Sequence, residues 1–448
     1  MAQDKSKMHL AVFAIGTGHH VSGWRLPEAK TGALDFQFFR QIAETAERGK
    51  FDMFFLADAL NAITTQHPSY IVRFEPLTLL SALTGVTSRI GLAATAITTY
   101  TEPYNLARYF ASLDHLSGGR AAWNVVTGAF PEAAENFGRT PHPDHSARYA
   151  MADEFVKVAK GLWDSWEDGA LVADKKTGRY LDTSKLHVLD HDGEYYRVKG
   201  PLNSARSPQG HPVIIQAGAS DTGRDFAARV AEVIFAVQQD LETAKAFRED
   251  LRARAKSFGR DPNSIKIMPG VAPIVADTEE EARAQIEKLG QFVDPVTALR
   301  VLSERVGHDL TAYPLDGPLP DFPPSGIMQG HAVNLTRMAK QYNMTIRQLR
   351  DYASAAQGHR LIWGTPERIA DQLQEWFDAG AADGFVIMPV WFPGAFNAFV
   401  DRVVPILQKR NLFRTDYEAT TLRGHLGLER PAHAAAAPFD ARLETTRG

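Results

Sequence analysis

The sequence contains no cysteine. Disulfides, thiolate nucleophiles, zinc–thiolate centres and iron–sulfur clusters are therefore excluded, and a reducing cytoplasm is the expected location. It also lacks a surplus of either charge. The 49 basic and 53 acidic side chains leave a formal net charge of −4, so this is not a strongly basic chain built for nucleic acid. No stretch approaches the roughly 20 apolar residues of a membrane span. The start, MAQDKSKMHLAVFAIG, has no long apolar run after its charged residues, so no signal peptide is expected. Gly16, Gly18 and Gly23 do not fit a dinucleotide fingerprint, and Walker A, G-x-S-x-G and S-x-x-K motifs are missing. That argues against nucleoside triphosphatases and serine hydrolases.

What is present is ordinary globular material: 448 residues, 44% of them hydrophobic. Short apolar runs alternate with amphipathic stretches. The runs at 8–15, 51–56, 90–97, 121–126, 213–216, 232–237, 265–275 and 385–388 read as strands. Stretches with apolar residues at helical spacing lie between them, such as 35–48 with Phe38, Phe39, Ile42 and Ala46. A βα series of this length implies parallel strands with right-handed crossovers. The expected fold is a (β/α)8 TIM barrel forming a single domain. About 250 residues suffice for the plain barrel. The surplus is expected in insertions near 165–211 and 291–360 and in a surface-draped C-terminal tail near 411–448.

Active sites of such barrels lie at the C-terminal strand ends. This points to His20 after the first strand, with the adjacent His19 expected at the surface. It also points to Asp58 after the second strand, Thr95 on the third and Asn124 on the fourth. Asp58 fits either a capping carboxylate or a group facing a cavity. Asn124, an amide in an apolar strand, needs polar partners, and a ring edge with donors and acceptors would supply them. The segment Gln216-Ala-Gly-Ala-Ser220 joins a strand to a helix N-terminus, where free N–H groups favour an anion such as a phosphate monoester. The same pattern also suits an ordinary capping turn. His142, His145 and Tyr149 follow in a Pro-rich stretch, with no cluster of metal-ligand spacing, so no metal is expected. Phe13, Phe54, Phe55, Phe235 and Trp391 are candidates for an aromatic pocket or for plain core.

Several segments, in order, resemble those of the bacterial-luciferase-like flavin monooxygenases. They are Phe51-Asp-Met-Phe-Phe-Leu-Ala-Asp58, Ala96-Ile-Thr-Thr-Tyr100, Leu113-Asp-His-Leu-Ser-Gly-Gly-Arg120, Ala122-Trp-Asn-Val-Val-Thr127, Gln216-Ala-Gly-Ala-Ser220, Gly364-Thr-Pro-Glu367 and Ala382-Asp-Gly-Phe385. The resemblance runs from about Met8 to Leu428. It is strongest to the branch of the nitrilotriacetate, EDTA and dibenzothiophene-sulfone monooxygenases. It implies an oxygenase component that uses FMN, reduced by a separate NAD(P)H-dependent reductase, and molecular oxygen. A small organic substrate would be oxygenated, with C–N or C–S cleavage as one outcome. It also implies FMN contacts at Asp58, Thr95, His145, Tyr149 and Ser220, with Asn124 at the ring edge, His20 as the catalytic candidate, and a homodimer or homotetramer. A deazaflavin-dependent oxidoreductase, a non-catalytic flavin-binding protein and a metal-dependent hydrolase on the same barrel stay open.

Overall fold

The computed structural model describes residues 7–62, 67–322 and 329–433. Strands β1 (His9–Phe13), β2 (Met53–Leu56), β3 (Gly91–Ile97) and β4 (Ala121–Val126) open the chain. Two small antiparallel hairpins follow, β5 (Leu171–Asp174) with β6 (Arg179–Leu181) and β7 (His191–Asp192) with β8 (Arg197–Val198). They occupy the expected insertion near 165–211. Next come β9 (Val213–Gln216), β10 (Val233–Ala236), β11 (Lys266–Val275), β12 (Arg360–Gly364) and β13 (Gly384–Ile387). The parallel order β10-β9-β4-β3-β2-β1-β13-β11 closes through a β10–β11 pairing, giving a (β/α)8 barrel. The long β11 serves two neighbourhoods. Its first half pairs with β10, and Val271–Val275 pair with the extra strand β12.

Alternation along each strand explains the core. Leu10, Val12, Phe54, Leu92, Ala94, Trp123 and Val125 face outward into one apolar cluster beneath the helices. Ala11, Phe13, Met53, Phe55, Ala93, Ala122 and Ile215 face inward and fill the barrel. Phe54 is therefore core, whereas Phe13, Phe55 and Phe235 form an aromatic knot inside, with ring centroids 4.9–5.8 Å apart. Truncating a buried ring such as Phe54 to alanine would cost about 3–5 kcal/mol.

The barrel helices are α1 (Phe36–Arg48), α2 (Pro76–Leu83), α3 (Pro103–Ser117), α4 (His145–Trp163), α5 (Asp221–Val230), α6 (Leu241–Ser257) and α7 (Glu279–Gln291). Asp35, Asp144, Ser220 and Asp240 cap four of them by accepting a first-turn N–H. The second insertion supplies α8 (Pro295–Val306), α9 (Gln329–Gln341) and α10 (Ile346–Ala356), which share a core of Leu302, Val306, Leu335, Ile346 and Leu349. It docks on the strand-end mouth: Val21 N–H donates to the Ser354 carbonyl at 3.0 Å. Pro323, Pro324 and Gly326 of this insertion lie outside the described residues. After β12 come α11 (Pro366–Asp378), α12 (Gly394–Ala398), α13 (Val404–Lys409) and α14 (Leu422–His425).

The expected draped tail is corrected for residues 411–433. This segment closes the opposite end of the barrel, with Leu422 and Leu426 buried in the inner cluster. Arg414 donates to Asp52 at 2.5 Å, and Arg423 forks onto Glu232 at 2.6 and 3.0 Å. Burial pushes the Asp52 carboxyl up, but Arg414 and His9 outweigh it and hold it below the usual range. Two largely buried pairs of this kind fix the strap because removing either partner strands a charge away from water. Residues 434–448 lie outside the described residues.

Candidate active site

Four neighbouring strands carry the candidate residues along one rim. Asp58 follows β2, Thr95 lies on β3, Asn124 on β4 and Ser220 after β9, and these strands are consecutive in the barrel. At ~4.8 Å per strand, this rim measures about 14 Å.

Thr95 and Asn124 are register partners one layer above the inward-facing Ala93 and Ala122, so both face the barrel lumen. The Asn124 amide donates to the Thr95 hydroxyl at 2.9 Å. Its carbonyl oxygen is buried without a partner. An orphaned buried acceptor costs about 1–3 kcal/mol, and a ligand N–H would relieve it. Asp58 is half-buried, and Oδ1 accepts from the Ala59 N–H at 2.9 Å. Burial raises its pKa to about 6, against the opposing pull of Arg73.

At the far end of the rim, Ser220 is the N-cap of α5. Its Oγ accepts from the Gly223 N–H at 3.1 Å, which leaves its own hydrogen to donate. His145 Nε2 lies 3.4 Å away. The Tyr149 hydroxyl bonds with Ser220 and Gln216. A Cβ on Gly218 would stand 2.6 Å from Gln216 Nε2 and 2.9 Å from this hydroxyl, so only glycine fits there. His145 and Tyr149 come from the first turns of α4, not from a loop as expected. Asp144 caps that helix, and the spacing of four puts both rings on one face, 4.9 Å apart. Burial and the nearby Arg148 both lower the pKa of His145. Arg148 itself went unnoticed in the sequence. Its position three after His145 was the available signal. Beside Ser220 opens a cavity of about 630 Å³, lined by Gly218, Phe235, Gln238, Thr243 and Phe247 among others.

The two histidines after β1 are both buried, which corrects the surface placement of His19. His19 Nε2 donates to the Phe13 carbonyl at 2.9 Å, leaving Nδ1 without a partner. His20 Nδ1 accepts from the Ser22 N–H at 3.0 Å, so its proton sits on Nε2. Burial lowers both pKa values to about 4, so both rings are neutral near pH 7. The loop is held close by glycine: Gly18 has φ +77° and packs on the Val390 carbonyl. His142 is taken up by the Tyr100 hydroxyl. Among the described residues no group of His, Cys, Asp and Glu could hold a metal. No helix among them is long and apolar enough to cross a membrane.

The decisive match is to the family model described as luciferase-like monooxygenase, over residues 12–383. The chain belongs to this family. It is 52% identical over 440 residues to the N-acetyl-S-(2-succino)cysteine monooxygenase of Bacillus subtilis, covering 97% of this chain and 100% of the relative. It is 47% identical to nitrilotriacetate monooxygenase component A of Aminobacter aminovorans, covering 96% and 99%. It is 40% identical to a dibenzothiophene-sulfone monooxygenase of Rhodococcus erythropolis, covering 95% and 97%. Among solved structures, a riboflavin lyase crystallised with modified FMN and riboflavin matches with a TM-score of 0.84 at 33% identity, covering 95% and 97%. The enzyme is thus a flavin-dependent monooxygenase on a TIM barrel. A flavin fits its residues: the rim offers an unpaired acceptor at Asn124 and a hydroxyl at a helix N-terminus at Ser220.

Proposed function

We propose that the enzyme is the oxygenase component of a two-component system, taking FMN already reduced by a separate NAD(P)H-dependent reductase. The observation that carries this reading is the pairing of a phosphate-type seat and a ring-edge acceptor on one rim. Ser220 would donate its hydroxyl hydrogen to the phosphate, where the α5 N-terminus and Arg148 add positive potential. His145 and Tyr149 would wall the same group. Asn124 would accept from the flavin ring, held in orientation by Thr95, and Asp58 would close the ring end. When bound, the reduced flavin supplies oxygen activation and delivery of one oxygen atom to the substrate. His20, neutral with its proton on Nε2, is the candidate donor of a hydrogen bond within the mouth.

The helices α8–α10 would cover the mouth and exclude water, which keeps reducing equivalents from being lost as hydrogen peroxide. Their docking through Ser354 and Gln357 onto the loop after β1 supports this reading. The substrate is a small organic molecule, with C–S or C–N cleavage as the outcome of oxygenation beside the heteroatom. The active form would be a closed homo-oligomer acting in the cytoplasm. Oxygen uptake tests this reading. It should require reduced FMN and a substrate, proceed without added metal, and be unaffected by chelators. Activity with a reduced deazaflavin under anaerobic conditions would replace it with hydride transfer.

A further inference from the structure

The mouth also holds a group of hydrogen-bond donors that the flavin reading leaves unused. They surround Tyr70, on the loop between β2 and α2. His67 is buried, and its Nδ1 accepts from the Ser69 N–H at 3.2 Å, so Nε2 carries the proton. That Nε2–H has no hydrogen-bond partner, although the His20 carbonyl lies nearby. Burial, with the charges of Arg305 and the neighbouring histidines, lowers the His67 pKa to about 3, so it stays a neutral donor. Arg73 stacks its guanidinium 5.2 Å from the Tyr70 ring, and its Nη2 is buried without a partner. Asp58 faces it and its charge acts on it, but Oδ1 of Asp58 accepts from the Ala59 N–H, and no ion pair joins the two among the described residues.

The third donor is brought by the insertion. Arg305, in the last turn of α8, gives Nη1 to the Ala353 carbonyl at 3.1 Å. Its charge reaches both His67 and the Tyr70 phenol. The charge of Glu304 also reaches it, with no ion pair to a carboxylate among the described residues. Tyr70 itself is pinned, donating to Gln357 Oε1 at 2.7 Å.

Two cations stand here with a neutral N–H: the hydrogens on Arg73 Nη2 and His67 Nε2 are orphaned, the charges of Asp58 and Glu304 reach the cations without an ion pair among the described residues, and a ligand that only accepts would fill the gap. A water molecule or a neutral thioether cannot neutralise two guanidinium groups, whereas a carboxylate accepts through both oxygens. We propose that Arg73, His67 and Arg305 form a seat for a substrate carboxylate, and hence that the substrate of this monooxygenase bears a carboxylate and is not a neutral sulfone or alkane. This deepens the oxygenase reading and rests on it. Two relatives are named for carboxylate-bearing compounds, N-acetyl-S-(2-succino)cysteine and nitrilotriacetate, and a third for a neutral sulfone. Sequence identity alone does not choose between those chemistries; the donors at the mouth do. Because α8 carries Arg305, a bound carboxylate would also tie the insertion down over the site.

The test is calorimetric binding to the full chain loaded with oxidised FMN, so that no turnover is needed. The probes are N-acetyl-S-(2-succino)cysteine, nitrilotriacetate and, as the neutral case, dibenzothiophene sulfone. At least one anionic probe should bind the wild type more tightly than the sulfone, and its affinity should fall as salt rises. Arg305→Gln and Arg73→Gln should each weaken it about ten-fold or more, the scale of one lost charge-assisted bond. FMN affinity should stay within about two-fold. Arg305→Lys should recover part of the loss, which a merely structural role would not show, and melting curves check that each variant folds. The seat is refuted if the wild type binds neither anionic probe, or if R305Q and R73Q bind them as the wild type does. Loss of FMN-dependent oxygen uptake with intact probe binding would instead sink the oxygenase reading and leave the seat standing.

Discussion

Replacing Ser220 by alanine separates two jobs of one hydroxyl. The oxygen caps α5 by accepting from Gly223 N–H at 3.1 Å, and its hydrogen would turn from His145 Nε2, 3.4 Å away, and the Tyr149 hydroxyl to a phosphate. Losing the cap costs about 1 kcal/mol of stability. In a chain of this size that lowers Tm by no more than about 2–4 °C. Losing the donor costs about 1–2 kcal/mol of FMN affinity, roughly 5- to 30-fold in Kd. Riboflavin lacks the phosphate, so its Kd should rise by less than about three-fold. Quenching of flavin fluorescence measures both. Ser220→Asp sharpens the comparison, since aspartate caps as well as serine but places a negative charge against the phosphate. It should keep Tm near the wild type and weaken FMN more than alanine does. Equal losses for FMN and riboflavin in Ser220→Ala would show that the phosphate does not sit at Ser220.

The next strand along the rim gives the converse pattern: Asn124→Leu removes the orphaned acceptor and should weaken FMN and riboflavin alike while Tm holds or rises, checked by the same titrations and a melting curve. Asp58 has a pKa raised to about 6, so its folded form favours the proton. Relative to Asp58→Asn, the wild type should therefore lose stability as pH rises from about 4 through about 6, read as the difference between their Tm profiles. Gln357→Ala breaks the ties to Tyr70 and the His19 carbonyl that hold the insertion on the mouth. Hydrogen peroxide released per FMN oxidised should rise several-fold, with FMN affinity within about two-fold. Arg414→Met strands the buried Asp52 with only His9 beside it and should destabilise the protein by about 3–5 kcal/mol, measured by urea unfolding.

All eight barrel strands were legible as short apolar runs, because a strand covered by helices outside and packed core inside has no polar face to show. The strand-end rule then located Asp58, Thr95, Asn124 and Ser220 correctly on the rim. What failed depended on contacts distant in sequence. Adjacent histidines alternate in a strand, yet His19 and His20 lie in a loop tucked under Val390, and both are buried. Arg414 and Arg423 read as surface charge in an Arg-rich tail, but their partners Asp52 and Glu232 lie 362 and 191 positions away. The strand β12 starts where the insertion was read to end, at residue 360, and went unassigned, although Leu361-Ile362-Trp363 offered a short apolar run. The helical origin of His145 and Tyr149 was readable from their spacing of four and from Asp144, a cap that Pro141 and Pro143 obscured.

On the proposed function, this barrel transfers one atom of molecular oxygen to its substrate at the expense of reduced FMN. Isotope labelling tests it most directly. FMN is reduced without oxygen, mixed with the enzyme and N-acetyl-S-(2-succino)cysteine or nitrilotriacetate, and exposed to oxygen-18 gas, and the products are weighed by mass spectrometry. With the carbonyl fragment reduced by borohydride as it forms, before its oxygen exchanges with solvent, one labelled oxygen should enter the product for each reduced FMN productively consumed, and none should enter from labelled water. A product carrying oxygen only from water, or formed equally well without oxygen, would contradict the account.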